Sequence, residues 1–500
     1  MEFNLFQSLF PNGVFLFDIA GLFMSMFCTY LFINAIYFLS LHPLAKVPGP
    51  KLCAISRIPY WIQCFKGSDV KWIHRLHVQY GPMLRFGPTD VSCASADAWK
   101  EVHGHMKGQK DMDKAPEFYL PPINGVPSML TASFDNHARV RRLFSPAFSE
   151  RALKKQEPVF HRYVDILVSK LHKLSAHHVE MTRLYNFATF DTMADLCFGH
   201  PLGLLEKNQF SPWVNSIFES LQTLPFLAMI SYYPIFNAIF TRFQPKSVTR
   251  QRIAHCKHAE ERVNQRLRQG SNQPDIWNLV MEANNSGKGL SLSEMHSNAE
   301  IFMLAGSETT ATLLSGLTYL LLTNPDKMEL LCKEVRRTFK TSQDINFEAT
   351  ASLRYLNACL REALRVYPPV PIGNPRVVPP GGQAVLGVWL PAETRVSCHH
   401  WSTYHSEANF KNADQFIPER WLGDPTYAGD VTDAHQPFSW GPRNCIGQNM
   451  AVHEMRLIFA TVIFDFDFEL CDGSRNWIEQ KTYGLWMKKP LMCRLYPVSR

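Results

Sequence analysis

The sequence predicts a mainly α-helical protein with small β-sheets, folded as one large domain behind an N-terminal transmembrane helix. Three observations carry this. Long helix-like stretches dominate the chain as far as Pro368, short strand-like runs cluster after Arg376, and Ile19 to Leu41 contains no Asp, Glu, Lys, Arg or His. Hydrophobic residues make up 46% and charged residues 19%, a balance for a packed core rather than a disordered chain. The 500 residues hold no Gly/Ser linker, low-complexity tract or fixed-period repeat, so one domain is preferred to several.

The first element is the apolar run. At 1.5 Å per residue, Ile19–Leu41 reaches about 35 Å, enough for a hydrocarbon core of roughly 30 Å. A cleaved signal peptide fits poorly, because the run is too long and lacks a basic leader and an A-x-A site. Glu2 and Asp18 precede it; Lys46, Lys51 and Arg57 follow. That asymmetry places residues 1–18 in the lumen and the bulk of the chain in the cytosol. Residues 42–60, with Pro43, Pro48, Gly49 and Pro50, read as a stiff hinge between anchor and main domain. The main domain is residues 61–500.

Within it, Val70–Tyr80 reads as a helix and Met83–Cys93 as strand around a Gly87-Pro88 turn. Residues 135–149 form a short basic helix; Gln156–His172 and Asn186–Cys197 are amphipathic. Phe218–Phe243 is aromatic and apolar, broken by Pro225 and Pro234. Ser293–Leu322 is the longest helix; Asn324–Phe339 and Leu353–Tyr367 follow, the last ended by Pro368-Pro369. Strands fit Arg376–Val378, Gln383–Val388 and Arg395–Ser397. No βαβ alternation or GxGxxG is present, which argues against a dinucleotide domain.

The formal net charge of +7 comes without a basic, aromatic-interleaved block, so nucleic acid is not the expected partner. The charge suits an anionic membrane or an acidic protein. Twelve cysteines without CxxC spacing argue for reduced thiols rather than a zinc ribbon.

Four constellations carry possible chemistry. Cys445 lies in Phe438-Ser439-Trp440-Gly441-Pro442-Arg443-Asn444-Cys445-Ile446-Gly447, a tight turn with a cation nearby and a helix following. Such surroundings favour thiolate, leaving nucleophile, metal ligand or core cysteine as readings. Ala305-Gly306-Ser307-Glu308-Thr309-Thr310 puts small residues, an acid and hydroxyls inside the longest helix; a polar helix face is the plainer reading. Glu362 and Arg365 are an i,i+3 pair with apolar flanks, so burial with a further partner such as Arg420 is plausible against an ordinary surface pair. His137 and Arg141 share a helix face and could grip a carboxylate; Arg139 and Arg142 read as solvated.

Taken in order, these segments resemble the haem-thiolate monooxygenases, the cytochromes P450. The family loop FxxGxRxCxG matches Phe438, Gly441, Arg443, Cys445 and Gly447. Its oxygen-helix pattern matches Ala305–Thr310, its ExxR matches Glu362 and Arg365, and its PERW matches Pro418–Trp421. The wording around Asp135–Arg139 and Phe148-Ser149 is similar to fungal members that oxidise secondary metabolites. The resemblance implies the P450 fold, a haem b whose iron takes Cys445 as axial thiolate, and O2 with NADPH-derived electrons as co-substrates. It implies Arg443, His137, Arg141 and Arg376 at the haem propionates, His137 standing where the family more often has tryptophan. Phe438, Gly447 and Ala305 would also line the cofactor. Thr309 would donate a hydrogen bond at the oxygen site and Glu308 would help relay protons. Glu362, Arg365 and Arg420 would form a structural triad.

Substrate walls would come from Phe118–Ser133, Phe218–Phe240, Ala305–Thr309, Val370–Asn374 and Tyr483–Trp486, mostly apolar. The aromatic stretch reads equally as core or as a membrane-dipping entrance. The expected activity is hydroxylation, epoxidation or another oxidation of a hydrophobic terpenoid, polyketide or alkaloid. An NADPH-cytochrome reductase, with cytochrome b5 as an added donor, would supply electrons at the endoplasmic reticulum, the domain facing the cytosol. The alternatives are a haem-thiolate isomerase or dehydratase needing no reductase, and a xenobiotic-detoxifying monooxygenase.

Overall fold

The computed structural model describes residues 14–499, apart from 107, 109, 120–123, 244–245, 270–274, 279 and 281–288. Most of the expected lumenal segment, Glu2 included, lies outside the described residues. Helix α1 (Val14–Ile36) continues through a π-helical turn, Tyr37–Leu41. Its apolar side chains, among them Phe23, Met26 and Phe32, are exposed. Ile19–Leu41 is long and apolar enough to cross a membrane, and none of its hydrophobic window is buried in protein.

The segment expected to act as a spacer instead folds onto the main domain. Leu44 and Val47 are buried and join a core with Val91, Trp99 and Val396. The Arg85 amide donates to Pro48 O at 2.7 Å, and a Cβ at Gly49 would stand 2.1 Å from Arg85 O. The Arg85 side chain, itself buried, donates to Phe38 O at 2.8 Å and to Pro88 O at 2.6 Å. The prolines fix φ here, but the apolar residues between them decide where the segment goes.

The remaining helices used below are α2 (Ala96–His103), α3 (Phe134–Phe144), α4 (Glu150–Leu174), α5 (Met181–Phe198), α6 (Leu224–Tyr232), α7 (Pro234–Phe243), α8 (Leu292–Leu322), α9 (Arg354–Val366) and α10 (Gln448–Asp465). A capping box between Ser291 and Glu294 starts α8. Nearly all of α5 is buried, and it lies along α8 in the centre of the main core. Gly306 permits that approach: an added Cβ would meet Met193 Sδ at 2.7 Å.

The strands are β1 (Met83–Gly87), β2 (Asp90–Cys93), β3 (Asp113–Lys114), β4 (Val179–Glu180), β5 (Arg376–Val377), β6 (Gln383–Val385), β7 (Val388–Leu390), β8 (Arg395–Cys398), β9 (Phe466–Leu470), β10 (Thr482–Tyr483), β11 (Leu485–Trp486) and β12 (Met492–Pro497). The largest sheet runs β1-β2-β8-β5-β3, and the C-terminal one β4-β12-β9. In the first, Lys114 pairs directly across from Arg376. The single strand expected over 383–388 is a hairpin, because Leu386 and Gly387 both turn to positive φ, 49° and 74°. The aromatic stretch 218–243 ends one helix and forms α6 and α7, bent by 120° where Pro234 interrupts it.

Candidate active site

The Cys445 loop is held by its own backbone. The Cys445 amide donates to Phe438 O at 2.8 Å, and that of Asn444 to Gly441 O at 3.1 Å. Gly441 has φ 78°, and a Cβ there would lie 2.0 Å from His103 O, so the turn admits glycine alone. Gly447 differs: a Cβ would sit 3.8 Å from Phe148 and 4.0 Å from Cys445 Sγ, ordinary contact distances. Its small size leaves open space beside the sulfur. Cys445 keeps accessible surface, yet enough protein surrounds its thiol to desolvate it.

The expectation that this loop by itself favours thiolate needs correction. Burial pushes the Cys445 thiol up, and the opposing pulls of the Gly447 N–H and the Arg141 guanidinium do not overcome it. Helix α10 begins only at Gln448. The cation acting on the sulfur is Arg141, not Arg443. Arg141 donates to Asn444 O at 2.6 Å and to Asn444 Oδ1 at 2.7 Å, clamping α3 onto the loop. Arg443 turns away, donating to Ala132 O at 2.8 Å and reaching Asp113 at 3.4 Å. A metal at the sulfur deprotonates it outright.

Arg376, Arg443 and Arg141 form a basic cluster with Lys114 and His137. Burial first, then mutual repulsion with Arg376 and Arg443, brings Lys114 down to about 6. Burial, then Arg443, Lys114, Arg141 and Arg376, brings His137 down to about 4, so it is neutral near pH 7 and presents one N–H, as a tryptophan would. Burial brings Arg376 down to about 10. Opposite Arg376 and buried, Lys114 gives up its proton near pH 7 unless anions join the pair and restore its charge. Two propionate carboxylates meet that need, and the haem therefore fits these residues. Lys114 carried no motif; its position across from Arg376 is what marks it.

On α8, the adjacent residues Glu308 and Thr309 diverge. Thr309 Oγ1 donates to Ala305 O at 2.6 Å, and both residues lie on a face with accessible surface. Glu308 is buried on another face and ion-paired with Lys488, which also donates to Thr312 at 2.8 Å. Its second oxygen is buried without a hydrogen-bond partner among the described residues. Burial raises Glu308 and lowers Lys488, so the two groups' proton affinities are brought closer together. Lys488 is 180 residues from its partner and belongs to no motif the sequence displays. Glu454, on α10, is a second buried acid; burial pushes it up to about 8, opposed by a hydrogen bond from Thr310.

Glu362 is fully enclosed. It accepts from Arg365 Nε at 3.0 Å and Nη2 at 2.7 Å, from Arg420 Nε at 3.0 Å, from the Ile417 amide at 2.9 Å and from Trp421 Nε1 at 2.9 Å. Arg365 spends its other donors on the carbonyls of Tyr404, Ala413 and Gln415, and Arg420 pairs with Asp430. No charge in this knot is left without a partner of opposite sign.

An accessible cysteine on a constrained loop, a basic cluster suited to two carboxylates and a threonine-bearing helix fit a haem-thiolate site. The comparisons agree. The Cytochrome P450 family model matches residues 51–493. The chain is 45% identical over 483 residues to cytochrome P450 monooxygenase efuB of Hormonema carpetanum, covering 94% of this chain and 96% of the relative. It is 43% identical over 464 residues to cytochrome P450 monooxygenase FUM2 of Gibberella moniliformis, covering 92% and 98%. It is 40% identical over 467 residues to averantin hydroxylase of Dothistroma septosporum, covering 92% and 88%. The chain belongs to the cytochrome P450 family. It is a haem-thiolate monooxygenase using haem b, O2 and NADPH-derived electrons.

Proposed function

We propose that this protein is a membrane-anchored monooxygenase of fungal secondary metabolism that hydroxylates or epoxidises a hydrophobic small molecule, with electrons from a separate NADPH-cytochrome reductase. The observation that carries the reading is the α6–α7 hairpin. Phe226, Ile235, Phe236, Ile239 and Phe243 are exposed on it. Helix α6 also packs against Pro116–Phe118, the turn whose last residue begins the expected substrate wall, and against the Ile58–Lys66 helix just after the anchor. An apolar surface spanning anchor side and substrate wall favours ligands that dissolve in lipid. It supports contact with a membrane beside the Ile19–Leu41 span; the cytosolic face follows from Lys46, Lys51 and Arg57 after that span.

Bound haem supplies the oxidising chemistry. This chain's part is to hold and protect it. Cys445 would ligate the haem iron through its sulfur, with Phe438 and Gly447 beside it. Arg376, Arg443, His137 and Lys114 would hold the propionates, while Arg141 fixes the Cys445 loop. Ala305 and Thr309 face the substrate side, Thr309 as hydrogen-bond donor. Glu308 moves protons in exchange with Lys488. Glu362, Arg365 and Arg420 keep the scaffold behind the loop rigid.

The test is turnover in microsomes containing the protein and the reductase, supplied with metabolites that accumulate when the gene is removed. An NADPH-dependent product carrying oxygen from labelled O2 is expected. Turnover without reductase and without label would show an isomerase or dehydratase instead.

A further inference from the structure

His103 was singled out by no motif, yet it touches both halves of the cofactor site. It closes α2 and is buried. Its Nδ1 accepts a hydrogen bond from Arg376 Nε at 3.2 Å. Its backbone oxygen lies where a Cβ on Gly441 would be, at 2.0 Å, so the Cys445 loop rests directly on it. The next residue, Gly104, does the same for Trp440: a Cβ there would be 3.4 Å from Trp440 Nε1.

The ring is fixed in orientation. It stacks on Trp99 with centroids 5.2 Å apart, and Trp99 in turn meets His400 edge-on at 4.7 Å. A histidine that accepts at Nδ1 carries its proton on Nε2 and is neutral. Nε2 is buried without a hydrogen-bond partner among the described residues. A ring placed only for packing has no reason to keep an unmet N–H. Holding Nδ1 free for Arg376 gives one. The bond also engages Nε of Arg376 and not its terminal pair, the pair suited to bidentate carboxylate recognition. Arg376 needs such a tether, because β5 is two residues long and Lys114 stands opposite it.

We propose that His103 is a positioning residue: its imidazole aims Arg376 at a haem propionate while its backbone sets the height of the Cys445 loop, coupling the two attachments of the cofactor. The proposal rests on the reading of Arg376 as a propionate partner. No other described residue contacts Arg376 Nε by a hydrogen bond together with the thiolate loop.

The test is the rate at which ferric haem leaves the full-length holoprotein for excess apomyoglobin, alongside the haem reduction potential. His103→Leu keeps bulk and removes the acceptor; His103→Asn keeps an acceptor near the Nδ1 position. We expect His103→Leu to release haem about tenfold faster, the loss of one charge-assisted hydrogen bond. Its potential should become more negative, since a less neutralised propionate favours ferric iron. His103→Asn should return both quantities towards wild type. Arg376→Gln should also release haem faster, and adding His103→Leu to it should cost little more, because the two act as one unit. If Arg376→Gln accelerates release but His103→Leu does not, or if the two add independently, His103 has no positioning role and the Arg376 reading stands. If Arg376→Gln itself leaves release unchanged, the propionate reading fails and takes the proposal with it. Failure of Asn to rescue at intact secondary structure would reduce His103 to packing.

Discussion

Two regions of this protein hold their shape by opposite means. Around Glu362, five donors converge on one carboxylate: two from Arg365 and one each from Arg420, Ile417 and Trp421. On the α6–α7 hairpin, Ile235, Phe236 and Phe243 keep more than half of their surface exposed. The first region is over-determined by directional bonds, and one missing partner leaves a buried charge alone. The second is held by non-directional contact, so its side chains can change one at a time without stranding a polar group. The knot lies behind the chemistry common to the family; the hairpin adjoins the walls expected to select the substrate. Where bonding is saturated, variation is costly; where packing is loose, variation is cheap.

The comparison can be broken most sharply at the chemistry itself. Cys445→Ala should abolish the strongly red-shifted carbon-monoxide band of the reduced protein; an unaltered band would remove Cys445 as ligand. Next, Glu362→Ala should cost about 3–5 kcal/mol by stranding Arg365 and Arg420. Urea melts would read this as a lower midpoint, with little haem incorporated; a change below 1 kcal/mol would show the knot to be dispensable.

Lys488→Met removes the cation that opposes the rise in Glu308, so Glu308 should titrate higher still, and the acidic limb of the turnover profile should move to higher pH, with kcat down about tenfold. Thr309→Ala should instead raise peroxide released per NADPH, with no such movement. Phe236→Asp in a protein lacking residues 1–42 should weaken vesicle binding about tenfold, with the haem spectrum unchanged. Equal binding would make the hairpin ordinary surface.

The smallest effect concerns Glu454. Its folded value, about 8, lies above the unfolded 4.5, so the folded state holds a proton that the unfolded state has released. Its contribution is therefore fully present below 4.5 and lost as pH rises through 8. Glu454→Gln should flatten the fall in stability across that window, measured as melting temperature against pH.

The parts legible in the sequence are those whose signal is local. Cys445 sits in a loop whose neighbours do the folding, and Glu362 and Arg365 are one helical turn apart. Long periodic segments gave α8 and α9 to within a residue or two. What was not legible depends on residues brought together from far apart. Lys488 reaches Glu308 across 180 positions, and Lys114 meets Arg376 only through strand register. Neither spacing nor composition records such meetings. Glu308 and Thr309 show the same limit: adjacent in sequence, they face different surroundings because each helical residue turns about 100° from the last. The proline segment misled for another reason, since its stiffness was visible and the destination of Leu44 and Val47 was not.

Arg85 gives the last consequence. By gripping Phe38 O with its side chain and Pro48 O with its amide, it welds the end of the apolar helix to the first sheet. If that helix spans a bilayer, as proposed, the domain mounted on it is held to a narrow range of tilt and height. With a reductase mounted likewise, the proposed arrangement would make their encounter planar, with only rotation about the membrane normal left to find the right face. Cutting the Arg85 grip, with every active-site residue intact, would leave that search in the plane but free the tilt, and should slow the first electron without touching the chemistry it serves.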